Sequence, residues 1–249
     1  MSRDRAFEEL WDRAPEANDH FDPARIAHLP PGARRYLAHA LRPGAKLATA
    51  ARLRMHGTIR LGDTWHPFEA EQVLRWDRGF VWRARTSMKH LPVSGSDRWV
   101  DGAGSMRWKM LGILPVATGE GPDVTRSAAG RFNAESIWLP AVLLGDGVTW
   151  SERDATHPAV AVRAHGEDSL LQVVIGEDGA VRQLQLERWG NPEGGASHAA
   201  IFGGYMDEER TFDGVTVPTR MRMGWYFGTP RFETEGEFFR ATIEAIEYR

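Results

Sequence analysis

Residues 46–61 read KLATAARLRMHGTIRL, and this stretch decides the fold. Leu47, Thr49, Ala51, Leu53, Met55, Gly57, Ile59 and Leu61 fall on one side of an extended chain, with Arg52, Arg54, His56, Thr58 and Arg60 on the other. A period of two marks a strand with one apolar face. At roughly 3.3 Å per residue the segment spans about 50 Å, so it must twist and coil. Gly57 is the expected place for a bulge or bend.

The alternation continues outward. Phe68, Ala70, Gln72, Leu74 and Trp76 form a second strand, Asp77-Arg78-Gly79 a turn, and Phe80, Trp82, Ala84 and Thr86 a third strand. Further strands are expected at 97–101, 106–111, 147–153, 159–165, 169–175, 181–189, 201–212, 215–227 and 231–247. Glu177-Asp178-Gly179 and Asp213-Gly214 are hairpin turn signals, and strands joined so tightly run antiparallel. Three segments change period. Ala6, Phe7, Leu10, Trp11 and Ala14 are spaced as an amphipathic helix over 4–14. Pro30-Pro31 opens a second helix with Tyr36, Leu37, Ala40 and Leu41 on one face. A third runs from a cap at Asp123 or Thr125 to about Trp138, where Pro140 stops it. The fold class that follows is mainly β: a curved antiparallel half-barrel sheet with helices covering its concave face. Residues 1–28 form an N-terminal helix and linker, and 29–249 a single half-barrel domain. Whether the first helix docks on its own sheet or on a second copy stays open.

Composition excludes several classes. The 249 residues carry a formal net charge of −3 and no cysteine. Nucleic-acid binding usually asks for a concentrated basic surface, and none is evident. Without thiols there is no disulfide framework or zinc–thiolate centre. The nine histidines show no metal-ligand spacing, so neither metal nor cofactor is expected. No window approaches the length of a membrane span, and the N-terminus lacks a signal-type apolar core, which sets the expectation of a soluble, cytoplasmic protein.

Six segments, Leu29-Pro-Pro-Gly-Ala-Arg-Arg-Tyr-Leu37, Trp65-His-Pro-Phe-Glu-Ala-Glu-Gln72, Gly79-Phe-Val-Trp82, Val100-Asp-Gly-Ala-Gly-Ser-Met106, Leu111-Gly-Ile-Leu-Pro-Val116 and Ala134-Glu-Ser-Ile-Trp-Leu-Pro-Ala-Val-Leu-Leu144, occur in this order. Together they resemble a bacterial domain family of unknown function over about residues 29 to 248. That family's fold is similar to the half-barrel of the LolA and LolB lipoprotein carriers. The resemblance implies a curved antiparallel sheet able to hold acyl chains.

Eight methionines and ten tryptophans are a large stock of bulky, adaptable side chains. Met55, Met106, Trp108, Met110, Met221, Met223 and Trp225 alternate onto faces expected to point inward, where they form either a dry core or an apolar pocket. Phe132 and Glu135 join them from the third helix. Glu135 sits at the border of the apolar stripe and needs a partner there; Arg131, one turn back, is available. Asp97 and Asp101 flank Trp99 and could serve acid–base chemistry with Glu135, although an Asp before glycines commonly caps a turn. Three readings follow: a non-catalytic protein that binds a lipid-like or other hydrophobic small molecule; a hydrolase-type enzyme using Glu135 with Asp101 or Asp97; or a structural or interaction module with a filled core.

Overall fold

A computed structural model describes residues 4–249. Thirteen antiparallel strands form one sheet: β1 (Ala50–Leu61), β2 (Thr64–Arg75), β3 (Gly79–Met88), β4 (Leu91–Val100), β5 (Ala103–Met110), β6 (Leu114–Glu120), β7 (Val148–Glu152), β8 (Pro158–Ala164), β9 (Glu167–Ile175), β10 (Val181–Gly190), β11 (His198–Phe212), β12 (Val215–Trp225) and β13 (Glu237–Tyr248). Their order is β6-β5-β4-β3-β2-β1-β13-β12-β11-β10-β9-β8-β7. Two meanders are therefore sewn together along the pairing of the first strand with the last.

This order places the helices. β6 and β7 are the two edges of the sheet, yet they are consecutive in sequence, so the chain between them must cross from one edge to the other. The crossing segment is α3 (Pro122–Ala134), continued by tighter 3-10 turns at Glu135–Trp138 and Pro140–Leu144. α3 packs against both β5 and β10. Those strands lie eight positions apart, about 38 Å in a flat sheet at ~4.8 Å per strand, whereas a helix is roughly 10–12 Å across. The sheet must curl around the strap.

The inner face carries the main core, to which α2 (Pro31–Ala40) contributes Tyr36, Leu37 and Ala40. α1 (Arg5–Asp12) covers the outer face of the same sheet. Its Phe7, Leu10 and Trp11 pack on Ala50, Val73 and Val81, which point the opposite way from Leu53 and Leu74. Asp4 caps it by accepting from the Phe7 amide, and the Arg83 guanidinium lies 3.7 Å from the Phe7 ring centre.

Several boundaries differ from the sequence reading for physical reasons. β4 begins at Leu91 and β6 exists as a largely exposed edge strand, through segments holding Pro92, Gly95, Pro115 and Gly119, residues that weaken a strand pattern. β13 starts at Glu237, after a π turn over Phe232–Gly236. The first strand's register breaks between Arg54 and Met55 instead of at Gly57. Gly57 serves close approach: a Cβ there would run into the Arg240 carbonyl of β13. α3 has no side-chain cap; it opens at Gly121-Pro122, and Thr125 Oγ1 accepts from the Gly104 amide instead. The linker expected between the first helix and residue 29 includes a 3-10 turn at Pro23–Ile26 with Phe21 and Ile26 buried. Among the described residues no helix is long and apolar enough to cross a membrane.

Candidate functional site

Between the curled sheet and the strap lies a cavity of about 450 Å³. Alternation brings β1, β3, β5, β11, β12 and β13 to its wall through Met55, Trp82, Met106, Phe202, Met223 and Phe239. A second apolar groove of about 340 Å³ adjoins it, sharing Ile59, Trp82, Asp97 and Met106. A further depression, about 650 Å³, is different in kind. It runs over charged outer-face side chains already paired with one another, Arg54 with Glu244 and Arg83 with Glu71. Such a surface leaves little for a ligand to gain.

The polar groups of the cavity gather where α3 gives way to the 3-10 turn. Glu135 is buried, with 8% of its surface exposed. It accepts from Arg131 Nε at 2.7 Å and from the buried Gln72 Nε2 at 2.6 Å. Arg131 also reaches Asp97 at 3.5 Å, and Asp97 accepts from Trp108 Nε1 at 2.9 Å. Burial works to lower the Arg131 pKa, but Glu135 and Asp97 together outweigh it and hold the guanidinium above its ordinary value. A second arginine, Arg188 of β10, lines the same cavity and donates to the Ser127 carbonyl and hydroxyl at 3.1 and 3.2 Å. Its pKa is lowered to about 10 by burial and, after that, by Arg131.

Of the residues singled out from sequence, Met55, Met106, Met221, Met223, Trp225, Asp97 and Glu135 line this cavity. Trp108 lines the adjoining groove. Phe132 does not line either space. It is 1% exposed and packs on Trp76, Phe80, Trp99 and His165, which enclose it. Met110 lines neither: it lies at the far end of β5, next to Val93 at one end of the adjoining groove. Asp101 is corrected most sharply. It ends β4 in a turn with φ +50°, half exposed, and its carboxylate pairs with Arg78 at the surface. That hydrogen bond from Arg78 holds its pKa below the usual carboxylate range. Asp101 and Glu135 do not converge, which removes that carboxylate pair from consideration. Asp97 and Glu135 do meet, but across a shared arginine that engages both.

Arg188 was missed. The signal was present: Leu184 and Leu186 alternate inward along β10, and Arg188 is the next residue on that face. Gln72 carried the same signal between Ala70 and Leu74.

Two solved structures are similar to this chain. One is a LolA superfamily protein from Nitrosomonas europaea, at 7% identity over 86% of this chain and 90% of that chain, TM-score 0.46. The other is a DUF1329 family protein from Desulfovibrio piger, at 10% identity over 81% and 86%, TM-score 0.36. Such distances leave ligand and activity to be argued from this chain's own residues. No curated protein matches the chain in sequence. Residues 27–248 match the model of a family of unknown function, DUF6920, and the chain belongs to that family.

Proposed function

We propose that the protein binds a lipid-like or other hydrophobic small molecule in the cavity beneath the α3 strap. The observation that carries this reading is the cavity itself: about 450 Å³ of unfilled space walled by Met, Trp, Phe, Leu and Ile, within an otherwise well-packed core. Ligand pockets are typically about 300–1,000 Å³ and mostly apolar with a few placed polar groups, whereas native cores leave few voids larger than a water molecule. Methionine side chains at Met55, Met106, Met206, Met221 and Met223 can adjust to chains of different shape.

The test uses delipidated protein and the neutral probe N-phenyl-1-naphthylamine. Saturable fluorescence enhancement at micromolar probe, reduced in Met223→Trp where the indole occupies the space, is expected. A linear, non-saturating response in the folded wild-type protein would end this reading. Native mass spectrometry of the protein as purified gives the independent check, a co-purifying small molecule being the supporting result.

A further inference from the structure

We infer that the ligand is an acidic amphiphile, its carboxylate or phosphate headgroup held by Arg188 and its alkyl part lying in the apolar cavity; this deepens, and rests on, the binding role proposed above.

The first observation is an imbalance between two arginines on one wall. Arg131 is neutralised by Glu135 and Asp97. Arg188 forms no ion pair among the described residues, and its two hydrogen bonds both go to Ser127. A guanidinium offers five N–H donors, so most of this fork is free. Neither carboxylate of the cavity bonds to Arg188: Glu135 is engaged by Arg131 and Gln72, and Asp97 by Arg131 and Trp108, so both act on Arg188 only through space. The Trp82 indole N–H on the same wall also lacks an acceptor among the described residues. The surplus donors gather at Arg188, the arginine with no carboxylate bonded to it, and they suit an acceptor-rich, negatively charged group.

The second observation is position. Arg188 and Asn191 line the apolar cavity and also an adjoining pocket of about 230 Å³, where Ser105, Ser127 and Ser197 stand with the charged Asp97, Arg98, Asp123 and Arg131. They stand where the apolar cavity meets a space of mixed lining that is richer in polar groups, a place where the two ends of an amphiphile can part company. Phe202 and Trp225 flank the guanidinium at 4.8 and 5.4 Å from their ring centres, orienting it without neutralising it. Arg188 stays cationic at neutral pH, since its lowered value is still about 10. A planar fork with free N–H groups fits a two-oxygen anion, and such charge-assisted pairs are the stronger hydrogen bonds.

The experiment displaces bound N-phenyl-1-naphthylamine at pH 7.5 with three ligands of equal chain length, dodecanoate, dodecyl phosphate and dodecanol, below their micelle concentrations. In the wild-type protein at least one acid should displace the probe at a concentration roughly tenfold or more below that needed for dodecanol, the scale of a hydrogen bond to a charged group. Which acid wins separates a carboxylate from a phosphate source. Arg188→Met should narrow the acid-to-alcohol ratio toward one, and Arg188→Lys should give an intermediate ratio. Should Arg188→Met fail to fold, the wild-type ratio and the Lys variant still decide. Probe binding with equal displacement by all three ligands overturns the headgroup assignment while leaving the apolar pocket standing. Absence of saturable probe binding overturns the pocket itself.

Discussion

Arg131 Nε donates to Glu135 Oε1 at 2.7 Å across one helical turn, at the junction where α3 tightens into the 3-10 turn Glu135–Trp138. The same carboxylate takes a hydrogen bond from Gln72 of β2, so a single side chain ties the strap to the floor of the curled sheet. Glu135→Ala strips Arg131 and Gln72 of an acceptor at once. Removing one partner of a buried ion pair costs about 3–5 kcal/mol, and the part-exposure of Arg131 brings the expected loss to about 2–3 kcal/mol. Glu135→Gln keeps an acceptor and should lose about half as much. Urea unfolding of the three proteins measures this; a wild-type midpoint for Glu135→Ala would show that the tie contributes nothing.

How much of this was legible beforehand depends on the range of the physics involved. Alternation along Leu47–Leu61 is a property of neighbouring residues, so the strand and its apolar face could be read directly. The need of Glu135 for Arg131 was legible for the same reason, one turn separating them. The pairing of β1 with β13 was not, since Arg54 meets Ala245 only after nearly the whole chain has folded back. With that pairing unknown, β6 and β7 could not be recognised as the two edges, nor α3 as the strap between them. The cavity depended on it too. Met55 and Met223 each announced an inward face, but whether those faces meet or leave a gap is decided by the curl of the sheet. Asp101 failed because its turn conformation, φ +50°, takes it off the face that Asp97 and Trp99 share.

The seam between the two meanders predicts a glycine requirement. Gly57 of β1 sits opposite Ala241, and a Cβ at Gly57 would collide with the Arg240 carbonyl, a backbone atom that cannot rotate away. Gly57→Ala is expected to cost about 1–3 kcal/mol as overpacking forces the strands apart. Gly195, with open space around it and no positive φ, is the control: Gly195→Ala should change stability by less than about 0.5 kcal/mol. Equal effects from the two substitutions in thermal unfolding would contradict the close-approach role.

Core and cavity should answer differently to substitution. Phe132 is fully enclosed by Trp76, Phe80, Trp99 and His165, so Phe132→Ala should destabilise by about 3–5 kcal/mol through lost burial and a new void. Met223 borders space that is already unfilled, so Met223→Ala removes fewer contacts and should cost about 2 kcal/mol, at the low end of the range for such truncations. Chemical unfolding distinguishes them. A larger loss at Met223 than at Phe132 would mean that the cavity is closed by packing in solution.

The remaining prediction concerns acid. His165 holds the turn between β8 and β9 against the C-terminal half of α3, with Nε2 facing the Trp76 carbonyl and Nδ1 facing Asn133 Oδ1, each at 2.8 Å, and the neutral ring donates to one of these two oxygens. Its ring is packed on Phe132, Trp76 and Trp99, at 4.3, 4.5 and 5.1 Å between centres. Burial there lowers its pKa below the ordinary 6.5, the Trp76 carbonyl opposing this only in part. Between the lowered folded value and 6.5 the unfolded chain holds more protons on this group than the folded one, so stability rises with pH across that window. The contribution is fully present above 6.5, declines as pH falls through it, and levels off once the folded imidazole is protonated as well. His165→Asn is the informative variant, because asparagine tolerates the positive φ of 61° at this position. The difference in thermal midpoint between wild type and His165→Asn should shrink, or change sign, from pH 7.5 to pH 5.5. Parallel profiles across that range would show that His165 does not titrate with unfolding, and that the acid sensitivity of the fold lies in its carboxylates.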